Sequence, residues 1–187
     1  MGLAKELGYR FFALNYRIAS LFPVRSNSVF SVMTHDGSEN GNVRTMERYI
    51  ARQMPGVQFT HYGRDQKDAV AEGGGGSSRH VLDFFFRKPW ELAHARYVLM
   101  ENAFLPFACM KVRSETKVVQ LWHGTGTIKK FGQDVNSGRL GTLEARANAN
   151  IDILPVNHAS WKAIYAGAFG IPEDKVFVTG LPRTDAL

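Results

Sequence analysis

"NSVFSVMTHDGSENGNVRTMERYIARQMPGVQFTHYGR", residues Asn27–Arg64, carries the pattern on which the fold turns. "VFSVM" (29–33) reads as a short buried strand and "THDGSENGN" as a loop. "VRTMERYIARQM" reads as a helix with Val43, Met46, Tyr49 and Ile50 on one side. Pro55 and Gly56 stop that helix, and "VQFTHY" (57–62) forms a second strand. A strand, a crossover helix and a second strand make up the unit that builds parallel sheets.

The alternation resumes further along. "PWELAHA" predicts a helix, "RYVLMENAF" and "KVVQLW" predict strands, "RLGTLEARANANI" a helix and "DILPV" a strand. "NHASWKAIYAGAFG" follows as a helix, with Asn157 as the expected cap and Gly170 as the stop, and "KVFVTGLP" closes as a strand. Repeated strand-then-helix order with buried-type strands predicts an α/β, Rossmann-like, doubly wound parallel sheet over residues 28–187. "AEGGGGSSRH" interrupts the series. Its four glycines lack the spacing of a nucleotide fingerprint and predict a flexible surface loop.

Ahead of the sheet, Leu3, Leu7, Phe11, Leu14, Ile18 and Leu21 recur at helical spacing, with Phe12 and Tyr16 widening the apolar side, Lys5, Arg10 and Arg17 off the stripe and Pro23 at the end. Residues 1–22 therefore predict a basic amphipathic helix. Such a helix either lies in a membrane interface, with its cations toward anionic headgroups, or packs on its own domain.

The 187-residue chain has room for a sizeable core, and 44% apolar and 12% aromatic residues place it among globular proteins. No run approaches the ~20 apolar residues of a membrane span, and the N-terminus lacks a secretory pattern. Lone Cys109, in "LPFACMKV", excludes an intrachain disulfide framework and reads as apolar filler. Lys and Arg outnumber Asp and Glu by 23 to 17, which favours anionic partners. The cations are scattered without interleaved aromatics, so nucleic acid is not the expected partner.

In a doubly wound sheet, ligands gather at the C-terminal ends of the strands. "VVQLWHGTGTIKKFG" (118–132) places His123 there, and Asn102 and Arg183 end two other strands. Gly124, Thr125, Gly126 and Thr127 form a loop able to approach a ligand closely, with amides and hydroxyls to donate. Lys129 and Lys130 add positive charge where a helix is expected to start. A lone histidine at a strand end is more often structural than catalytic, but this combination points to a phosphate-bearing substrate. His35 and His61 also end strands, with surface loop as the commoner role. His80, His94 and His158 fall in or beside helices. No pair of residues has metal-site spacing, and no cofactor is expected.

"QLWHGTGTIKKFG" resembles the Trp-His-Gly-Thr segment of the CDP-glycerol glycerophosphotransferase family, the teichoic-acid primases and polymerases. "YAGAFGIPEDKVFVTGLPRTDAL" is similar to the family's stretch ending in a GxPRxD turn, and "HARYVLMENAF" looks like the strand preceding its histidine. The three segments span roughly residues 94–187. The resemblance implies two Rossmann-like domains in a GT-B arrangement. It further implies transfer of glycerol-phosphate or ribitol-phosphate from a CDP-activated donor to an acceptor hydroxyl, with CMP leaving. By the same resemblance His123 is catalytic, as general base or as donor to the transferring phosphate. Gly124, Thr125, Gly126 and Thr127 would contact the donor's phosphate and polyol. Arg183 would offset the charge of the CDP-alditol, and Asp185 would hold the turn.

The partners implied are a CDP-glycerol or CDP-ribitol donor, a lipid-linked polymer acceptor and an anionic membrane surface, at the cytoplasmic face of the cell membrane. Gly126 stands where the family commonly has proline. The family's second domain, with most of the cytidine site, has no counterpart before Leu187. The chain is thus expected to be a fragment, a half that works with another chain, or a remnant, and to turn over little alone. Two readings compete with this one: a non-catalytic domain that binds a membrane or partner through its first helix, and a GT-B transferase using another nucleotide sugar.

Overall fold

The structure, a computed structural model, describes residues 3–35, 38–71, 78–124, 126–127 and 129–184. Helix α1 (Leu3–Ala19) leads into strand β1 (Arg25–Met33), then α2 (Asn42–Gln53) and β2 (Gln58–Gly63). Two short helices, α3 (Arg64–Ala71) and α4 (Ser78–Leu82), and a π-helical turn (Asp83–Arg87) precede α5 (Lys88–His94). Strands β3 (Ala95–Met100) and β4 (Lys117–Gln120) are followed by α6 (Gly138–Asn148), β5 (Leu154–Val156), α7 (Lys162–Phe169) and β6 (Val176–Val178).

Strands β2, β1, β3 and β4 form one sheet in that order, every pair parallel. The β5–β6 pair is also parallel and continues the sheet past β4, where Gln120 N–H donates to Ile153 O at 2.9 Å. The expected Rossmann-like parallel sheet is therefore present. Its chain order reverses between β1 and β3, which makes the ends of those two strands the topological switch point.

Strand β1 is buried on both faces, as a parallel strand must be. Phe30 and Val32 join the main core with Phe12, Leu92, Val98 and Phe104. Val29 and Met33 face the opposite way, onto Val43 of α2 and onto Leu99 and Leu121. Helix α1 packs on α5 and on the 3-10 turn Leu105–Cys109. It does so through Phe12, Ala13, Tyr16 and Ala19, not through the stripe picked out by spacing. Leu7, Phe11, Leu14 and Ile18 remain 41–56% exposed. The Phe12 ring packs on Phe84 and Phe104, Tyr16 Oη accepts from Arg113 N–H at 3.1 Å, and the leucine and isoleucine ridge faces outward.

Three local expectations change. The helix expected to begin at Asn157 opens with a 3-10 turn, Ala159–Trp161, capped by His158, whose Nδ1 accepts from Ser160 N–H at 3.2 Å. Asn157 Oδ1 is buried without a hydrogen-bond partner among the described residues. Gly170 does end the helix, at φ 65°. Strand β4 stops at Gln120 rather than Trp122, because Trp122 takes a left-handed φ of 53° that no strand can continue. The glycine run expected as a surface loop, residues 72–77, lies outside the described residues.

Helix α2 is anchored from below by a buried carboxylate. Glu47 accepts from Ser31 Oγ at 2.6 Å, lies 2.9 Å from His61 Nε2 and pairs with Arg44 at 3.0 Å. Burial pushes the Glu47 carboxyl up, but the hydrogen bonds from His61 and Ser31 outweigh it and hold the group below the usual carboxylate range. With the folded-state pKa below the unfolded one, the stabilisation is complete above the ordinary range and is lost as pH falls through the depressed value. Glu47→Gln is expected to cost about 1–3 kcal/mol in urea unfolding at neutral pH. The gap to the parent protein should close between about pH 5 and pH 2.

Candidate active site

The strand ends at the switch point bring the candidate histidine to a crowded edge. His35 follows β1, Glu101 and Asn102 follow β3, and His123 follows β4. His35 N–H donates to Glu101 Oε1 at 2.8 Å, which ties the end of β1 to the end of β3. From there the His35 ring reaches across β3 and stacks on His123, with centroids 3.7 Å apart and planes inclined by 21°. The Trp122 indole contacts the same imidazole at 3.9 Å. His123 is half-buried, at the rim of the sheet rather than within the core.

The backbone that presents His123 is strained and held from three directions. Trp122 N–H donates to Gln120 Oε1 at 3.0 Å, and Leu121 N–H donates to Met100 O at 2.6 Å. The third hold is Asn42, at the start of α2 and only 3% exposed. Its Nδ2 donates to Trp122 O at 2.9 Å and to Leu121 O at 3.3 Å. Its Oδ1 accepts from Arg183 N–H at 3.2 Å. One side-chain amide thus bridges the histidine segment and the 3-10 turn Pro182–Thr184. The half-buried Arg183 is brought to the same edge through its backbone; Asp185 lies outside the described residues.

Of the glycine-threonine loop, Gly124, Gly126 and Thr127 are described and Thr125 is not. Tyr165 of α7 points its hydroxyl at the loop, 3.0 Å from Gly126 O and 3.3 Å from Gly124 O. Burial raises the Tyr165 phenol, partly offset by the hydrogen bond to Gly126, so it stays protonated as a donor. With the carbonyls turned toward Tyr165, no described residue accepts from the N–H groups of Gly124, Gly126 or Thr127. Such amides suit an anionic ligand. A Cβ on Gly124 would come within 2.9 Å of Trp122 Nε1, so the close turn against the indole requires glycine. Lys129 and Lys130 are exposed, and no helix starts at them: a 3-10 turn, Gly132–Asp134, follows, and α6 begins only at Gly138. The expected helix-start contribution at the two lysines is therefore absent, because Gly132 at φ 58° turns the chain first.

Asn42, Tyr165 and the stacking role of His35 escape sequence reading. Each acts across 39 or more residues, and no local spacing signals it. His61 serves the Glu47 network on the α2 side. His94 is buried against Trp90, its Nδ1 2.7 Å from Trp90 O. Burial raises the Cys109 thiol, which fits a packing role.

The family profile described as CDP-glycerol:poly(glycerophosphate) glycerophosphotransferase matches residues 14–187. The teichoic acid ribitol-phosphate primase of Bacillus spizizenii W23 is 26% identical over 180 residues, which are 93% of this chain and 45% of that protein. The teichoic acid ribitol-phosphate polymerase TarL of Staphylococcus aureus is 34% identical over 119 residues, 58% of this chain and 19% of that protein. The chain spans less than half the length of these relatives. A solved structure of the wall teichoic acid polymerase TagF shares the fold with a TM-score of 0.69, covering 98% of this chain and 46% of its own, at 14% identity.

If Asn42 holds the strained segment, removing its amide should loosen both strand ends together. Asn42→Ala is expected to lower stability by about 1–3 kcal/mol, as for a buried polar contact left unmade. In NMR spectra it should shift the ring signals of His123 and His35 while leaving those of His158 in place. Asn42→Asp keeps the acceptor for Arg183 but loses the donor, and should disturb the His123 signals more than the amide of Arg183.

Proposed function

This chain belongs to the CDP-glycerol:poly(glycerophosphate) glycerophosphotransferase family, and from that premise we propose that it supplies the acceptor-side half of a polyol-phosphotransferase. The reaction moves glycerol-phosphate or ribitol-phosphate from a CDP-activated donor to an acceptor hydroxyl in teichoic acid or capsule polymer synthesis. The observation that carries the proposal is the His123 imidazole, at the C-terminal rim of a parallel sheet, flanked by Gly124, Gly126 and Thr127, whose amides meet no acceptor among the described residues.

In this reading the acceptor hydroxyl gives its proton to His123 as its oxygen bonds to the phosphorus that bears the polyol. The bond from that phosphorus to the bridging oxygen breaks, and CMP leaves with the electron pair. The N–H groups of Gly124, Gly126 and Thr127 and the side chain of Arg183 would stabilise the transferring phosphate, with Thr125 contributing its hydroxyl. Stacking on His35 fixes the plane of the base. The cytidine-binding groups would come from a second α/β half, so the isolated chain should bind donor weakly.

A second property, attachment to an anionic membrane face, is supported by the outer side of α1. Leu7, Phe11, Leu14, Ile18 and Leu21 form an exposed ridge, and Phe11 continues it to Phe86 of the π-helical turn, with ring centroids 5.7 Å apart. Phe22 continues it to Trp90 at 5.2 Å. Lys5, Arg10 and Arg17 are exposed on the same helix. No helix among the described residues is long and apolar enough to cross a membrane, so such a surface would lie on the bilayer. We place the chain, on this reading, at the cytoplasmic face of the cell membrane.

Both proposals can be tested directly. With the second half present, His123→Ala should lower CMP release from CDP-glycerol or CDP-ribitol by about 10²–10⁴ without changing the melting temperature. Retention of activity would remove His123 from the chemistry. The double variant Leu14→Asp/Ile18→Asp should lose at least about tenfold in co-sedimentation with phosphatidylglycerol vesicles, since each side chain's burial is worth about 1.5–3 kcal/mol. Equal sedimentation of parent and variant would exclude the ridge as the contact.

A further inference from the structure

A cavity of about 600 Å³ opens on the main-core face of the sheet. Its floor is Thr34 and Asn102, the residues that follow β1 and β3 at the switch point. Thr34 directly precedes His35, which stacks on His123. One wall is Gly8 and Tyr9 of α1, and another is Phe84 and Phe85 of the π-helical turn. The volume falls in the range of small-molecule sites.

Its chemistry is two-sided. Lys67 enters at the floor, where Nζ donates to Thr34 O at 3.3 Å, which leaves the ammonium further protons to donate. Lys5 enters from α1. Neither ammonium is ion-paired to a described carboxylate. The acid among the described lining residues, Glu144, already accepts from Asn136 Nδ2 at 2.7 Å. The deeper walls are aromatic and apolar. Cations beside the strand ends and phenyl rings behind them match an anion carried on an apolar stem.

We infer that this cavity binds a phosphate-headed amphiphile, its phosphate at Lys67 and Asn102 and its stem against Phe84 and Phe85. The inference does not depend on the polyol-phosphotransferase reading, because the binding itself does not require that reaction. The stem runs toward α1, whose outer side carries Leu7 and Phe11.

Calorimetric titration of the 187-residue chain with decyl phosphate, below its micelle concentration, tests the site. Binding should be one to one and at least tenfold tighter than that of decanol, with inorganic phosphate weaker still. Lys67→Gln should erase the preference over decanol. Gly8→Leu, whose Cβ meets the Phe85 ring at 3.4 Å and whose side chain fills the cavity, should weaken both amphiphiles at least tenfold. If that variant does not fold, as judged by its melting curve, Ala103→Leu blocks the cavity from the floor. His123→Ala should bind decyl phosphate like the parent. Equal binding of decyl phosphate and decanol, binding of inorganic phosphate as tight as decyl phosphate, or unchanged binding in both Lys67→Gln and the blocked variant would overturn the inference. None of these titrations uses a CDP donor. A failure here therefore leaves the transferase reading intact, and an active His123→Ala enzyme leaves the cavity intact.

Discussion

The side-chain amide of Asn42 joins three stretches of chain that the sequence keeps far apart. It donates to Leu121 and Trp122 and accepts from Arg183, so α2, the end of β4 and the turn after β6 meet at one buried group. The need for it follows from Trp122. A non-glycine residue at φ 53° costs on the order of 1 kcal/mol or more and persists only where its surroundings over-determine it. Here Gln120 holds the Trp122 N–H and Asn42 holds its carbonyl, so both polar ends of the strained residue are satisfied. The strain has a geometric result. By leaving the strand at Trp122, the chain turns the next side chain, His123, back over the end of β3, where His35 meets it.

Asn42 can act as a clamp only if α2 is itself fixed. The helix lays Val43, Met46 and Ile50 on the sheet, yet its fully buried residues are Asn42, Val43, Thr45 and Glu47. Three of these four are polar. Their burial is compensated by named partners: Glu47 by Ser31, His61 and Arg44, and Asn42 by the site backbone. Polar groups held this way specify position more narrowly than apolar contacts, because an unmade buried hydrogen bond costs about 1–3 kcal/mol. The crossover helix is thus keyed to the sheet below it and to the strand ends beside it.

This explains how much was legible in the sequence. The parallel order was readable because each buried strand is bounded by glycine, proline or polar residues, and the crossovers through α2, α6 and α7 show helical spacing. Helices α3 and α4 were not readable. "RDQKDAVA" has no apolar stripe, and "DFFFR" has three consecutive aromatics that fit neither helical nor strand period; the π-helical turn places Phe84 inward and Phe86 outward. At the site, His123 and the loop after it stood out by residue type and by resemblance. Asn42 lay in a loop-to-helix junction that reads as an ordinary start, and Tyr165 sat in an apolar helix as one more aromatic. Contacts spanning 80 to 141 residues leave no periodic trace.

Helix α1 shows the limit of periodicity in a different way. Its spacing was read correctly as helical, yet its better apolar stripe faces solvent and a mixed face, Phe12, Ala13, Tyr16 and Ala19, packs inward. A helix with two apolar sides has more nonpolar surface than one core can bury, and the domain chose the side whose aromatics close the space over Phe84 and Phe104. Turning the ridge inward would remove those ring contacts and the hydrogen bond from Arg113 N–H to Tyr16 Oη at 3.1 Å. The exposed ridge is therefore not an alternative core face left unused. It is surplus surface that the packing of the domain cannot absorb, on the same helix that walls the cavity over Phe84 and Phe85.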